Sequence, residues 1–284
     1  MEKVAEKLAP KTERRRLDLY LVAGVAIAAC AMFAGVLSTG IGLAYFLHPT
    51  GALIVVGGTL GVTLITTPPS ALYNSLGRIR NLFATPVTNR EALIDEIVSY
   101  ARLSRREGKM IFEKIAPSCS NEFLRNALLL ALDVKDRAEL QSALEMELRL
   151  RERQGEVDAK TFEVAGGFAP TIGIIGTVIG LIDVLRQFSN ITAVGSGIGT
   201  AFVSTIYGLA LANLLLLPMA HRIRARVAER FEIHELISEG VLYLVDGAHP
   251  SLLRLKLAAF LREASVKKKN DRRNELPLAS GANG

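Results

Sequence analysis

One apolar stretch constrains this chain more than any other: GGFAPTIGIIGTVIGLIDVL, Gly166 to Leu185. It matches the ~20 residues that a helix needs to cross the hydrocarbon core of a bilayer. It is not an ordinary anchor, because glycine stands at 166, 167, 173, 176 and 180, proline at 170 and threonine at 177. On a helix, Pro170, Gly173, Thr177 and Gly180 recur at three- and four-residue steps and share one narrow face. Gly176 and Gly180 form a second close-approach pair. In lipid, small residues let helix backbones pack closely, and a hydroxyl needs a partner or a water-lined cavity. The stretch therefore reads as a helix built to face other helices, with one polar atom at mid-depth. Thr177 either lines a cavity or bonds back to its own backbone.

The chain holds three further apolar runs. Leu17 to about Leu37 follows a basic start with Lys3, Lys7, Lys11, Arg14, Arg15 and Arg16. A basic start before an apolar run also fits a signal peptide; the run's length and the later runs favour an uncleaved span. The second run, about Gly51 to Thr67, carries Gly57, Gly58 and Gly61 and stops at Pro68-Pro69. The fourth, about Ile198 to Ala220, has Ala201, Ser204, Thr205, Gly208 and Ala212 as a small-residue face that complements Gly166–Leu185. Asn213 lies deep in it, and Pro218 near its end should kink or terminate it. The fold class is thus an all-α membrane protein: four transmembrane helices with a helical cytoplasmic domain inserted between the second and third. The expected boundaries are a basic N-terminus 1–16, a hairpin 17–69 (spans 17–37 and 51–67) and a helical domain 70–161. A second hairpin follows at 162–220 (spans 162–185 and 198–220), then C-terminal helices and a basic tail at 221–284.

Residues 70–161 change character. NREALIDEIVSYARLSRREGKMIFEKIA reads as one helix with Ala92, Ile94, Ile97, Val98 and Leu103 on its buried side, and two more helices follow. HRIRARVAERFEIHELISEGVLYLVDG continues the fourth span as an amphipathic helix. SLLRLKLAAFLREA makes a further short helix, and KKKNDRRNELPLASGANG reads as a disordered basic tail. Lys and Arg crowd the N-terminus, the 70–161 region and the segment after 220. The connectors at 38–50 and 186–197 hold none and one. Positive charge stays on the cytoplasmic side, so both termini and the large loop are placed there, with the membrane crossed several times.

The formal net charge of +6 and pI near 9.4 therefore reflect cytoplasmic loops, with no nucleic-acid-reading motif beside them. The four histidines are scattered, no metal or cofactor is expected, and no catalytic constellation marks an enzyme. Cys30 and Cys119 read as reduced thiols. The carboxylates of the apolar runs, Asp18, Glu163 and Asp183, all lie near span ends. A conducting bundle ordinarily carries an ionisable group in its pathway. If this chain helps to move protons or sodium, that group must come from another chain, with Thr177 and Thr205 lining the route.

Three stretches carry a resemblance: HPTGALIVVGGTLGVTLITTPP, GGFAPTIGIIGTVIGLIDVL and GTAFVSTIYGLALANLLLLPMAHRIR. With the order of spans, they make residues 17–245 resemble the MotA/PomA family, the A subunit of the flagellar stator, within the MotA/TolQ/ExbB channel superfamily. The resemblance implies a pentamer of A subunits around a dimer of a MotB-type B subunit, whose helix supplies the ion-binding Asp. Proton flow, or alternatively sodium flow, would turn the ring, and the cytoplasmic loop would engage the rotor protein FliG. It further implies that Pro170 and Pro218 couple conformation, that Thr177 and Thr205 line the ion route, and that Arg105 and Glu113 in SRREGKMIFEK meet the rotor. Ser204 stands where many sodium-type members have a second threonine, which leaves the ion open. Gly173, Gly176, Gly180 and Gly208 are the packing positions. An ExbB/TolQ-like energiser and a non-flagellar MotA-like stator are the alternatives; a solute transporter would show internal repeats, and none is evident.

Overall fold

The computed structural model describes residues 15–17, 19–38, 40, 42–82, 84–86 and 89–261. Asp18, the first basic residues of the N-terminus and the C-terminal tail lie outside the described residues. Helices account for nearly all regular structure: α1 (Leu19–Ser38), α2 (Pro49–Thr66), α3 (Pro69–Leu82), α4 (Arg90–Glu107), α5 (Ile111–Ile115), α6 (Glu122–Asp133), α7 (Arg137–Arg186), α8 (Ile191–Val245) and α9 (250–261). A three-residue antiparallel ladder pairs β1 (Arg15–Leu17) with β2 (Ala84–Pro86), Arg16 opposite Thr85. The chain divides into two compact units, one built on 87–152 and 228 onward, the other on 15–86 and 153–227.

The first unit has a conventional apolar core. Ile97, Phe112, Phe123, Leu124, Leu128, Leu144, Ile237 and Leu257 are fully buried, drawn from α4 through α9. The Asn89 and Asn121 side chains cap α4 and α6, each accepting two backbone N–H groups that the first turn leaves without helical partners. The expectation of one helix through 89–116 is corrected: α4 ends at Gly108, whose φ of 77° suits glycine, and α5 starts afresh. Ala92, expected inside, is exposed in the first turn, and Leu93 is buried instead. Tyr100 donates to Glu96 (2.8 Å), which also accepts the Ser120 N–H (2.9 Å), so one carboxylate ties the α5–α6 loop to α4. Burial and these neighbours push the Tyr100 phenol upward, and burial raises the Cys119 thiol to about 11.

The second unit contains the apolar helices. Among the described residues, α2, α7 and α8 are long and apolar enough to cross a membrane, and α1 adds a shorter apolar segment, Ala23–Ser38. Only 22–28% of the residues in their most apolar windows are buried within this chain. Ile174, Ile175, Val178 and Leu185 instead stand exposed, an arrangement that lipid or further subunits must cover. α2 begins with Pro49 after an extended His48, where a missing N–H costs nothing, and ends at extended Thr67 as the following proline requires. The sequence pattern announces no element over 69–82, yet α3 forms there.

Three expected boundaries change. α7 runs unbroken for 50 residues, so the border at 161/162 falls inside a helix. The connector at 186–197 shrinks to a turn, because the Asn190 side chain caps α8 by accepting from Thr192 and Ala193. Pro218 does not terminate α8. A π-helical turn over Leu211–Leu216 widens the backbone just before the ring, and the helix continues to Val245. The Asn213 amide donates to the Leu209 carbonyl at 3.0 Å.

His234 supplies a pH test of the first unit. It stacks on Phe123 at 4.3 Å, and burial, with Arg151 and Arg230 near by, lowers it to about 4. An unfolded histidine protonates near 6.5, so between these values the unfolded chain binds more protons and stability falls as pH drops. Hydrogen exchange of α6 amides, corrected for intrinsic rates, should show protection declining between about pH 6.5 and 4. His234→Gln should flatten that slope; an unchanged slope contradicts the assignment.

Candidate functional site

The site is the seam between α7 and α8 in the second unit. Glycines on both helices leave no room for side chains between the backbones. A Cβ built on Gly208 would stand 2.6 Å from the Ala169 carbonyl oxygen, and one on Gly180 would stand 2.7 Å from the Ala201 nitrogen. At Gly173 it would meet the Ser204 carbonyl at 3.0 Å. The face inferred from sequence as Pro170, Gly173, Thr177 and Gly180 is therefore the contact face. Such proximity suits a bilayer, where dispersion contacts between close backbones replace the missing hydrophobic driving force.

Thr177 and Thr205 lie in this seam with their hydroxyl oxygens 2.5 Å apart. The Thr177 oxygen is also 3.1 Å from the Gly173 carbonyl and 3.2 Å from the Ala201 carbonyl. Thr177 bonds back to its own helix and also crosses to the next. Two hydroxyls carry two protons and face two carbonyls as well as each other. The cluster is thus rich in oxygen lone pairs, the chemistry that solvates a cation or holds a water. Both threonines remain partly exposed in this chain.

Ser204 occupies a different place. It is fully buried, and its hydroxyl donates to the Thr200 carbonyl at 2.7 Å. A Cβ on Gly176 would lie 2.6 Å from the Ser204 Cβ, and one on Gly51 would lie 2.8 Å from its Oγ. Ser204 is the point where α2, α7 and α8 meet, behind the threonine pair. A serine fits there because it adds the least bulk that still satisfies its own hydroxyl.

The two prolines bracket the other end of the seam. Pro170 lies within α7, and its Cα is 3.3 Å from the Cβ position of Gly208. Gly166, one turn earlier, faces Leu216 and Leu217, the residues before Pro218. Each ring removes one helical N–H, so both helices are weakened where they touch. Just beyond, Arg224 on α8 forks onto Glu163 and reaches Glu156 at 3.2 Å, both on α7. Asp183 accepts from Gln187 at 2.8 Å. Neither Glu163 nor Asp183 contacts the threonine pair, and no group of metal-ligating side chains occurs among the described residues.

Sequence reasoning missed a clasp at the start of α2. The Tyr207 hydroxyl donates to the Phe46 carbonyl and accepts from the His48 N–H at 3.4 Å, holding this segment on α8. The His48 ring packs over Gly199, where a Cβ would fall 2.8 Å from Nε2. The tyrosine of STIYG was visible in the sequence, but its partners are carbonyl and N–H groups that no side-chain pattern announces. Arg105 and Glu113 belong to the first unit, where both are exposed, on the last turn of α4 and on α5.

Residues 115–236 match the MotA/TolQ/ExbB proton channel family. Motility protein A of Bacillus subtilis is 28% identical over 249 residues, covering 86% of this chain and 91% of that protein. Chemotaxis protein PomA of Vibrio alginolyticus is 29% identical over 245 residues, covering 86% and 94%. The flagellar MotAB stator complex from Bacillus subtilis contains a chain that superposes with a TM-score of 0.79 at 28% identity, covering 87% of this chain and 97% of that one. The fold, the small-residue seam and these matches make the chain similar to the MotA/TolQ/ExbB proton channel family. Over most of its length the chain is similar to motility protein A and PomA.

The seam makes a contrast testable. Gly208→Ala should cost about 1–3 kcal/mol through overpacking and lower the thermal midpoint in detergent. Gly167→Ala, in a helix of the same seam but with open space around it, should leave the midpoint unchanged or raise it slightly, since alanine favours a helix by up to about 1 kcal/mol. Equal effects of the two substitutions would contradict backbone contact at Gly208.

Proposed function

We propose that this chain is the A subunit of an ion-driven flagellar stator. The observation that carries the proposal is the threonine pair: a lone-pair-rich cluster in a membrane-type seam, with no carboxylate beside it among the described residues. A MotB-type partner would bring the ion-binding Asp against Thr177 and Thr205; the MotAB complexes among the structural relatives support a partner of that kind. Four spans with a cytoplasmic insertion and cytoplasmic termini, as the charge pattern implies, would place the first unit beside the rotor. Arg105 and Glu113, exposed there, would meet FliG and steer it by charge. A pentamer around a B dimer would cover the apolar side chains left exposed on α7.

In this mechanism the chain's residues hold and position. Thr177 and Thr205 solvate the transferred ion, proton or alternatively sodium, as it reaches the partner's carboxylate. Ser204 fixes the spacing of α2, α7 and α8 behind them. Pro170 and Pro218 let the two helices flex where they touch, so that a change in charge on the partner becomes movement of the cytoplasmic ends.

Motor torque tests the reading, with this chain and its B partner as the only stators. Torque should survive removal of sodium and collapse with a protonophore, and Thr177→Val should reduce it at least about tenfold while the complex still assembles. A sodium requirement would transfer the same site to sodium. No torque in either medium from an inserted complex would overturn the flagellar role in favour of another energiser.

A further inference from the structure

Thr59, on α2, behaves unlike the other threonines of the second unit. Thr63, Thr66, Thr161 and Thr200 each donate to the carbonyl four residues back, at 2.6–3.2 Å. Thr59 is 3% exposed, yet its hydroxyl has no hydrogen-bond partner among the described residues. The ordinary acceptor would be the Val55 carbonyl. Val55 lies in the π-helical turn Leu53–Gly57, where the wider backbone takes its carbonyls out of α-helical register. A buried hydroxyl left unpaired is costly to retain.

Two carbonyls near the same depth lack helical donors. Pro170 has no N–H, so the Gly166 carbonyl, one turn back on α7, loses its partner. On α8 the Leu217 N–H goes to the Ala212 carbonyl, five residues back, and Pro218 has none to give. The Asn213 carbonyl is thereby left without a donor from its own helix. Helix carbonyls point toward the C-terminus, so the Asn213 oxygen points toward the turn of Leu216 and Leu217. That is the turn Gly166 touches: a Cβ on Gly166 would lie 2.9 Å from Leu217 Cγ and 3.3 Å from Leu216 Cβ. Helix register brings Thr59 to this level. Ile54 lies beside Gly176 and Gly58 beside Ile172, so α2 runs antiparallel to α7; Gly51 meets Ser204, and α2 runs parallel to α8. At equal rise per residue, Thr59 stands level with Thr171 on α7 and Ala212 on α8. The buried side chains here include Ala169 and Ala212, which take up little room.

We propose that Thr59, with the Gly166 and Asn213 carbonyls, holds a buried water between α2, α7 and α8. The water accepts from the Thr59 hydroxyl and donates to the two carbonyls, which satisfies all three groups at once. Its second lone pair stays free. The site lies on the Arg224–Glu163 side of the threonine pair, roughly 9 Å along α7 from Thr177. In the stator reading, on which this role rests, a proton leaving Thr177 and Thr205 for the cytoplasm crosses that depth. The free lone pair lets the water take up the proton and release one of its own toward the cytoplasmic end. The site is then a relay as well as a packing element.

A high-resolution cryo-EM map of the chain with its B partner tests the site. It should show density within hydrogen-bond distance of the Thr59 oxygen and of the Gly166 and Asn213 carbonyls. A Thr59 hydroxyl turned onto the Val55 carbonyl, with no density beside it, overturns the proposal. Thr59→Val keeps a similar shape and removes the donor. It should lower the thermal midpoint of the detergent-solubilised complex by about 2–4 °C, because the water loses a partner, and Thr59→Ser should recover most of that loss. A dry site gives the opposite sign: valine then removes an unpaired polar group and raises the midpoint, which overturns the proposal. The relay is read separately, as motor torque relative to the parent chain. Thr59→Val should reduce torque several-fold with assembly unchanged, and Thr59→Ser should retain it; full torque from Thr59→Val overturns the relay. The map and the midpoint do not depend on torque, so the water site stands or falls apart from the stator reading.

Discussion

The close approach of α7 and α8 is the constraint on which the rest of this structure depends. Carbonyl oxygens and Cα atoms meet at Gly173, Gly180 and Gly208, at distances that a single added Cβ would violate. That approach is what brings two threonine oxygens on different helices within 2.5 Å. Were the helices spaced by ordinary side chains, at the roughly 8–10 Å between axes common in soluble proteins, Thr177 and Thr205 would each bond to its own backbone and no shared cluster would exist. Ser204 then sets how near α2 can come. The polar cluster is thus a consequence of packing, and its composition follows from which small residues occupy the seam.

The two units obey different physics. The first is held by buried leucine, isoleucine and phenylalanine, with asparagine caps and a Glu96-centred network closing its loops. The second has few buried large side chains and relies on close backbones, with Arg224, Glu163 and Glu156 joining α7 to α8 by charge. Prolines within both long helices and π-helical turns in α2 and α8 reduce the regularity of the second unit. Irregular helices are a general feature of sites where membrane helices must both pack and move.

Much of this was legible in the sequence, for a physical reason. Small residues at helical spacing in an apolar run have few meanings in lipid, and Gly173, Thr177 and Gly180 fall in the seam that their spacing implies. The helical core around Ile97 and Leu128 follows equally from periodicity. Boundaries were less legible. Gly108 inside a charged run gave no sign that α4 would stop there, because a lone glycine is also tolerated in a helix. Pro218 suggested an end, but a proline only demands local relief, and the preceding π turn provides it. Residues 191–197 looked like a connector because several of them are small; the Asn190 cap turns them into helix. The Tyr207 clasp was invisible because it is made with main-chain groups.

In the proposed complex, the partly exposed edge of the threonine pair faces a carboxylate supplied by another chain. Disulfide formation probes that geometry most directly, in a background without Cys30 and Cys119, between a cysteine placed at the partner's ion-binding Asp and single cysteines along α7 and α8. Thr177→Cys and Thr205→Cys should cross-link readily to the partner, whereas Ile179→Cys, on the opposite side of α7, should not. Cross-linking from Ile179 in preference to the threonine positions would place the partner on the other face and contradict the account.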